Sequence, residues 1–244
     1  MAKKNKEDVL VSKLSAVGEV QYISTGVDEL DEMLTGWARG RLTELWGNPG
    51  VGKSYLLAKT MAALDGKCLY VDAEFALYKP RLEELGVDLN KVDLVQDGRL
   101  EKVSEFVIEA VDKYDLIIID SLAKFIPMTV SDQEVGENAI GLFARQVKHF
   151  EAKLKPRLAS SKCAMVVINQ ARAGLGVMQP SKPQGGFAWE HAIDIRVKLS
   201  KGQNNQITKQ EAGVKRRVGH WCTAEVQKSR LGKPGVTTRF QVVY

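Results

Sequence analysis

The chain has 244 residues, enough for one α/β core, and 44% of them are hydrophobic while 27% are charged. These proportions are typical of a globular protein and argue against a disordered or fibrous chain. No apolar run approaches the roughly 20 residues that a membrane span requires, and the N-terminus lacks the apolar stretch of a secretory signal. Three widely spaced cysteines, Cys68, Cys163 and Cys222, are predicted to be buried free thiols. We therefore predict a soluble, cytoplasmic protein with no membrane partner.

The net charge of +5 is unevenly distributed along the chain. Residues 195–244 contain 11 Lys and Arg against 2 Asp and Glu, whereas residues 1–194 contain 24 against 28. A basic C-terminal fifth on a mildly acidic body suggests a surface for phosphates or nucleic acid. The alternative is a solvated face that only improves solubility, and charge alone does not separate the two.

Residues 1–22 are predicted to be a separate N-terminal segment. Its apolar residues Val9, Leu10, Leu14 and Val17 lie on one stripe of a short helix over about Asn5–Val17. A 13-residue amphipathic helix is marginal alone. We therefore expect it to pack on the core or on a neighbouring subunit, as an oligomerisation segment.

From residue 23 onwards the hydrophobic pattern predicts strands and helices in alternation. The predicted strands are Arg41–Trp46, Cys68–Val71, Leu116–Ile119 and Ala164–Ile168. The predicted helices lie near Lys53–Leu64, Lys79–Leu85, Glu101–Lys113 and Glu137–Leu158, the last interrupted or ended by Pro156. Only strands follow, at Ile195–Leu199, Cys222–Val226 and Arg239–Val243.

This order of elements predicts an α/β fold for residues 23–244. A mostly parallel, twisted central sheet would be flanked by helices and extended by antiparallel C-terminal strands. Two polar, glycine-bearing stretches, Pro127–Asn138 and Arg172–Phe187, interrupt the pattern. Loops of that length in a compact domain are usually functional or disordered.

A phosphate-binding loop is predicted between the first core strand and the helix after it. The segment Gly47-Asn48-Pro49-Gly50-Val51-Gly52-Lys53-Ser54 matches G-x-x-x-x-G-K-[ST] in the strand–turn–helix context that this motif needs. Glycines let backbone N–H groups surround an anion, and the helix N-terminus adds a favourable dipole. Lys53 is predicted to contact the β- and γ-phosphates, and the Ser54 hydroxyl to complete a Mg²⁺ shell. Tyr55, next along the helix, is counted with this nucleotide site.

Polar side chains follow three of the other predicted strands. Asp120 ends the apolar run Leu116–Ile119 and would hold the Mg²⁺ shell, with Ser121 beside it to assist. Asp72 and Glu74 follow the Cys68–Val71 strand, and Glu74, which lies further out, is the preferred general base. Gln170 follows the Ala164–Ile168 strand at the root of the second polar loop. A neutral amide there can hydrogen-bond a γ-phosphate and so sense the nucleotide state.

In their order and spacing these motifs resemble the RecA/RadA recombinase family over nearly the whole chain from about Ile23. The matching segments are Gly40-Arg41-Leu42, the phosphate loop, Asp72-Ala73-Glu74-Phe75-Ala76-Leu77, Leu85-Gly86-Val87-Asp88, Ile119-Asp120-Ser121, Ile168-Asn169-Gln170-Ala171-Arg172, Gly174 to Met178, Gly185-Gly186 and Arg239-Phe240-Gln241. The resemblance implies a RecA-like P-loop NTPase that binds ATP and Mg²⁺ and takes part in DNA recombination or repair.

The resemblance also implies roles for individual residues. Glu74 falls on the family's catalytic glutamate, Asp120 on its metal-side aspartate, and Gln170 on the glutamine that links ATP to DNA. Lys228 and Arg230 fall where the bacterial members place two lysines that reach a neighbouring subunit's ATP. Lys228 matches in type and Arg230 only in charge, although arginine is well suited to a transferring phosphoryl group. With Lys53, these residues form the predicted catalytic set.

The two polar stretches fall on the family's DNA-binding loops. Arg172, Lys182, Gly185 and Gly186 are the residues that the match assigns to DNA. These two loops contain few aromatic residues. Phe187 and Trp189, at the end of the second loop, either stack on bases or pack at the base of the loop. We therefore expect single-stranded DNA to be bound through its backbone, largely without regard to sequence.

The chain departs from the family pattern in two respects. Arg81 stands where bacterial members have an adenine-stacking tyrosine, as in archaeal and eukaryotic members, so its guanidinium is predicted to stack on the base. The family's accessory helical and C-terminal domains have no counterpart in this sequence. A core-only member, of a kind familiar among phage recombination proteins, is expected to anneal, load or regulate rather than to complete strand exchange.

The sequence thus predicts a DNA-dependent ATPase that assembles on single-stranded DNA as a filament or ring. A single-strand-binding protein or other recombination proteins are further expected partners. One alternative is a paralogue that binds ATP and a recombinase as an accessory protein, which an intact Glu74 and Gln170 count against. The other is a hexameric helicase-type ATPase, which the Gly174–Gly186 pattern disfavours.

Overall fold

A computed structural model of the chain describes residues 15, 18–128, 137–172, 182–184, 186–202, 205–211 and 214–244. Its helices are α1 Asp28–Leu34, α2 Lys53–Ala63, α3 Lys79–Glu84, α4 Leu100–Ala110, α5 Glu137–Ser160 and α6 Gly186–Ala192. Its strands are β1 Tyr22–Ile23, β2 Trp37–Ala38, β3 Leu42–Gly47, β4 Cys68–Asp72, β5 Val92–Val95, β6 Leu116–Asp120, β7 Ala164–Arg172, β8 Lys182–Pro183, β9 Ile195–Ser200, β10 Gln206–Glu211, β11 Val214–Ser229 and β12 Thr237–Val243.

One large sheet carries the fold. Its order is β10-β11-β9-β3-β7-β6-β4-β5, with β12 paired to β11 and β8 paired to β7. The six strands from β9 to β5 pair in parallel, whereas β10, β11 and β12 pair antiparallel. The predicted α/β architecture, a parallel sheet extended by antiparallel C-terminal strands, is therefore confirmed.

The central strands are buried on both faces because helices cover both sides of the sheet. On β6, Ile118 packs into the cluster that contains Leu56 and Leu57 of α2. Its neighbours Ile117 and Ile119 point the opposite way, into a second cluster with residues of α4 and α5. Successive side chains of a strand alternate between faces, so a continuous apolar run is what a doubly covered strand requires. The parallel order brings the carboxyl ends of β3, β4, β6 and β7 to one edge of the sheet, where the site forms.

Several elements differ from the sequence prediction. Helix α5 continues through Pro156 to Ser160, so the expected interruption or end at this proline is wrong. A proline removes one intrahelical hydrogen bond, and burial of Leu154 and Leu158 on either side keeps the helix on the core. Strand β11 is 16 residues long rather than five, because its polar N-terminal half pairs with β10 at the edge of the sheet.

Three further parts of the prediction concern residues 1–22, membrane-spanning helices and the cysteines. The predicted helix over Asn5–Val17 lies outside the described residues apart from Ser15, and with it most of the proposed 1–22 segment. Among the helices that the structure describes, none combines the length and apolar character needed to cross a bilayer. All three cysteines are free and buried, as predicted.

Candidate nucleotide site

The loop between β3 and α2 fits closely against the C-terminal strands. A side chain at Gly52, whose φ is 114°, would place its Cβ 2.5 Å from a methyl group of Val242 on β12. A Cβ at Gly47 would lie 2.3 Å from the carbonyl oxygen of Leu199 on β9. Both glycines are therefore required by close approach, and Gly52 also by its left-handed backbone. The C-terminal strands thus help to shape the loop.

Lys53 begins α2 and turns its ammonium group back into this loop. Nζ lies 2.9 Å from the carbonyl oxygen of Gly47 and 3.1 Å from that of Asn48. Burial lowers the pKa of Lys53, while the nearby carboxylates of Asp120 and Glu74 oppose this shift. One edge of the sheet thus brings together the Lys53 ammonium group, the open N-terminal turn of α2 and the carboxylates of Asp120 and Glu74. Ser54 lies in the first turn of the same helix.

Of the two acids at the carboxyl end of β4, Asp72 and Glu74, only Glu74 is among the described residues that line the cavity beside the loop. The buried Asp72 carboxylate accepts hydrogen bonds from the backbone N–H groups of Ala76 and Leu77, at 3.2 and 3.1 Å, and from the Gln96 amide. Asp72 therefore shapes the turn that presents Glu74. Glu74 stays the predicted general base.

Glu74 is held by two side chains from neighbouring strands. Its Oε1 accepts a 2.6 Å hydrogen bond from the Ser121 hydroxyl and another from the Gln170 amide. Ser121 follows β6 and Gln170 lies on β7, so three strand ends converge on one carboxylate. The Ser121 hydroxyl, which we expect to assist the metal, is thus bonded to Glu74.

Asp120 ends β6 and accepts a 2.7 Å hydrogen bond from the Tyr70 hydroxyl. Burial raises the pKa of Asp120 to about 6, and the Glu74 and Asp72 carboxylates add to the rise, whereas the Tyr70 hydrogen bond opposes it. The described residues contain no group of three or more His, Cys, Asp or Glu that could hold a metal ion by themselves. Carboxylate and hydroxyl oxygens are what Mg²⁺ prefers, and with phosphates present it needs only one or two of them. Asp120 and Ser54 fit that requirement.

Beyond the loop, a cavity of about 430 Å³ continues between α2, α3 and the end of β12. We call the part of its lining formed by Tyr55, Tyr78, Arg81 and Tyr244 the outer wall. Arg81 donates a hydrogen bond to the carbonyl of Val243 and forms a 2.7 Å ion pair with Glu84. Sequence reasoning predicted Tyr55 and Arg81 here but missed Tyr78 and Tyr244, and Tyr244 carries no local signal because it is distant in sequence from the loop.

Lys228 and Arg230 lie at the C-terminal end of α6 rather than at the cavity. Lys228 Nζ donates to the carbonyl of Glu190 at 2.6 Å, and Arg230 Nη2 to that of His191 at 2.7 Å. Neither residue is among the described residues that line the cavity. Cations are stabilised at a helix C-terminus because the last carbonyl groups have no intrahelical partner. The Arg230 side chain keeps 52% of its surface exposed and forms an ion pair with Asp194 at 3.4 Å.

A buried polar network joins the strand of Gln170 to the return of the second polar loop. The Asn169 amide donates to the fully buried Glu44 carboxylate at 2.8 Å and to the carbonyl of Gln184 at 2.6 Å. Trp189 of α6 also donates to Glu44, at 2.8 Å, and Arg196 forms an ion pair with it. Trp189 therefore packs at the loop base, one of the two roles considered for it. This network is a contact that the sequence prediction did not identify.

The residues predicted to bind DNA are only partly described. Lys182 lies exposed on β8, whose backbone pairs with the end of β7, and Gly186 begins α6. Gly185 and the Arg172 side chain lie outside the described residues, as do 129–136 and 173–181 of the two loops. Phe187 is 78% exposed and contacts the His191 ring edge-on, with centroids 4.1 Å apart. An exposed aromatic ring and a lysine thus stand where the described chain resumes after the loop.

A glycine-rich loop between a buried strand and a helix, with acids at the ends of two neighbouring parallel strands, defines the class of P-loop nucleotide-binding proteins. The sequence of residues 3–244 matches the family model of the RecA N-terminal domain. The chain therefore belongs to the RecA family.

The chain is also similar in sequence to individual RecA proteins. The chain is 30% identical to Protein RecA of Delftia acidovorans over 238 residues, which cover 94% of this chain and 63% of that protein. It is 31% identical to Protein RecA of Petrotoga mobilis, over 94% of this chain and 68% of that protein. Protein RecA of Chlorobaculum tepidum is 32% identical, with coverage of 94% and 67%. The chain thus spans about two thirds of the length of these curated relatives.

Proposed function

We propose that this protein is an ATPase that hydrolyses Mg·ATP when assembled on single-stranded DNA, in recombination, annealing or repair. The observation that carries the proposal is the convergence of Lys53, Glu74, Asp120 and Gln170 on one cavity. Lys53 neutralises the β- and γ-phosphates, and Glu74 orients and deprotonates the attacking water. Mg²⁺, held through Ser54 and Asp120, would supply charge neutralisation at the transferring phosphoryl group.

The hydrogen bond between Gln170 and Glu74 supports a sensing role for the amide. A γ-phosphate beside Gln170 competes for the same N–H donor, so binding of ATP would draw Gln170 away from Glu74 and free the carboxylate for water. Gln170 is bonded through its backbone N–H to the Asn169 side chain, which also holds Gln184 at the loop return. A shift of Gln170 would therefore move Asn169 and, through it, Gln184 at the return of the second polar loop.

Assembly would complete the site between subunits. Lys228 and Arg230 lie together at the end of α6, away from their own cavity, where they can reach a neighbouring subunit's γ-phosphate in a filament or ring. Burial lowers the pKa of Lys228, and the adjacent Arg230 adds to this effect. Residues 1–22 would dock on the neighbour as an oligomerisation segment. In this arrangement hydrolysis requires two subunits.

DNA would be bound by the two polar loops and their borders. Lys182 and Arg172 supply positive charge, while Gly185 and Gly186 allow the backbone to approach phosphates closely. The shortage of aromatic residues favours contacts to the sugar–phosphate backbone over base stacking. A single-strand-binding protein or another recombination protein would act as a further partner on the same DNA.

The proposal is tested by the rate of ATP hydrolysis with and without single-stranded DNA, over a range of protein concentrations. We expect the rate to rise more steeply than linearly with protein concentration, because each site is completed by a second subunit. Single-stranded DNA should raise it further by templating assembly. A protein that binds ATP but hydrolyses it at the same slow rate with and without DNA would instead be an accessory binding protein.

Replacing Lys53 with Ala should weaken Mg·ATP binding by about 10- to 100-fold, the scale of a lost charge-assisted hydrogen bond. The measurement is titration calorimetry with a non-hydrolysable ATP analogue. Lys59→Ala is the matched control, because Lys59 lies on the same helix but is not among the described residues that line the cavity. Equal affinities in the two variants would remove Lys53 from the phosphate site.

A further inference from the structure

A hydrogen-bonded chain links the phosphate-binding loop to the outer wall of the cavity. The buried imidazole of His220, on β11, places Nε2 3.2 Å from the carbonyl oxygen of Val51 in the loop. Its Nδ1 lies 2.7 Å from the hydroxyl oxygen of Tyr244. Nη2 of Arg217, on the same strand, donates to that oxygen at 2.7 Å. Four residues thus connect the exposed end of β11 to the loop.

The chemistry of these groups sets the direction of each hydrogen bond. A carbonyl oxygen only accepts, so Nε2 of His220 carries a proton and donates to Val51. Burial lowers the pKa of His220, nearby Lys201 and Arg217 lower it further, and the Val51 hydrogen bond opposes the shift. The imidazole is therefore neutral at pH 7, and Nδ1 accepts the Tyr244 hydroxyl proton.

The Tyr244 hydroxyl therefore acts as both a hydrogen-bond donor and a hydrogen-bond acceptor. It donates to His220 and accepts from Arg217, whose guanidinium also lies 5.2 Å from the centre of the tyrosine ring. The ring is 54% exposed, and Tyr244 lines the cavity next to Val243, whose carbonyl accepts a hydrogen bond from Arg81. An exposed tyrosine would otherwise lose side-chain entropy on contacting a ligand. Two hydrogen bonds hold it in place in advance.

We propose that His220 and Arg217 are positioning residues that hold Tyr244 as the wall against the base and ribose of the nucleotide and tie that wall to the phosphate-binding loop. This inference rests on the proposed nucleotide-binding function. Neither residue touches the nucleotide, and both act through Tyr244 or Val51. Substitutions that release Tyr244 should therefore weaken the binding of ATP more than the binding of a ligand that consists of phosphates alone.

The test compares the dissociation constants of Mg·ATP and Mg·tripolyphosphate by calorimetry. Tyr244→Phe removes only the hydroxyl, and Arg217→Gln removes one donor at an exposed position. Each should weaken ATP binding by about 3- to 10-fold, the worth of a net hydrogen bond, and change tripolyphosphate binding by less than about two-fold. Because both variants break the same contact, combining them should add no further loss. Arg216→Gln, which removes the adjacent exposed cation, is the matched control and should bind both ligands as the wild type does.

Variants of His220 distinguish its hydrogen bond to Tyr244 from its hydrogen bond to Val51. His220→Gln keeps a donor near the Nε2 position and gives up the Tyr244 contact, so it should weaken ATP binding alone. His220→Asn gives up the Val51 contact and should weaken both ligands. Thermal melting establishes that each variant is folded, and Arg217→Gln remains a test if the buried substitutions prevent folding.

Several outcomes would overturn the inference. They are equal losses of ATP and tripolyphosphate affinity in Arg217→Gln, additive losses in the Arg217→Gln, Tyr244→Phe double variant, and no loss in any variant. Failure of the wild-type protein to bind either ligand would instead overturn the proposed function, and the inference with it. Binding of both ligands by the wild type with unchanged affinities in the variants would overturn the inference alone.

Discussion

Glu74→Gln should slow ATP hydrolysis by about 10²-fold or more and leave ATP binding nearly unchanged. Loss of a positioned general base typically costs 10²–10⁴ in rate, and an amide of the same shape cannot accept the proton of water. Binding should persist because Lys53, Ser54 and the loop backbone are untouched. The measurement is single-turnover hydrolysis at saturating ATP, together with a separate dissociation constant.

The carboxylate's surroundings make this substitution informative. Ser121 and Gln170 both donate to Glu74 Oε1, and an amide oxygen can accept the same bonds, so the local structure should be kept. Glu83→Gln is the matched control, an identical change at an exposed glutamate on α3. If Glu74→Gln hydrolysed ATP as fast as Glu83→Gln, Glu74 would not be the base.

Arg230→Ala should reduce the DNA-stimulated rate by about 10³-fold or more, the range measured for arginine fingers. ATP binding to the isolated subunit should remain, because Arg230 is bonded to the end of α6 and to Asp194 rather than to its own cavity. Hydrolysis and DNA binding are measured in parallel. Lys233→Ala, which removes an exposed cation between β11 and β12, serves as the control.

Mixing two inactive variants tests whether Arg230 acts between subunits. At one junction in a mixed assembly, the intact Glu74 site of an Arg230→Ala subunit meets the intact Arg230 of a Glu74→Gln subunit. Part of the activity should then return, in proportion to the number of such junctions. No recovery, with both variants folded and assembling, would place Arg230 in its own subunit's site or outside the mechanism.

The positions of the glycine-rich loop and of the acids around it could be predicted from the sequence for a physical reason. A glycine-rich turn before a helix encodes its own backbone shape, and Asp120 is identified by the apolar run that it ends. Parallel strands bring their carboxyl ends to one edge of the sheet, so the sequence alone predicts that Glu74, Asp120 and Gln170 converge. These inferences use only local patterns and one rule of topology.

The division of roles between Asp72 and Glu74 was decided by tertiary structure. Both residues are acids after the same strand, and only the hydrogen bonds from Ala76 and Leu77 show that Asp72 shapes the turn. The course of α5 beyond Pro156 was decided in the same way, because packing of Leu154 and Leu158 outweighs one missing hydrogen bond.

The outer half of the cavity depends entirely on long-range packing. His220 meets Val51 across 169 residues of sequence, and Tyr244 reaches the cavity only because β12 pairs with β11 beside the loop. No periodicity or motif spacing records such a meeting, since the interacting groups lie on different elements and the register of β11 and β12 sets their alignment. The sequence by itself therefore located the glycine-rich loop and the polar residues at the strand ends, whereas the packing of the C-terminal strands against the loop decided which residues form the outer half of the cavity.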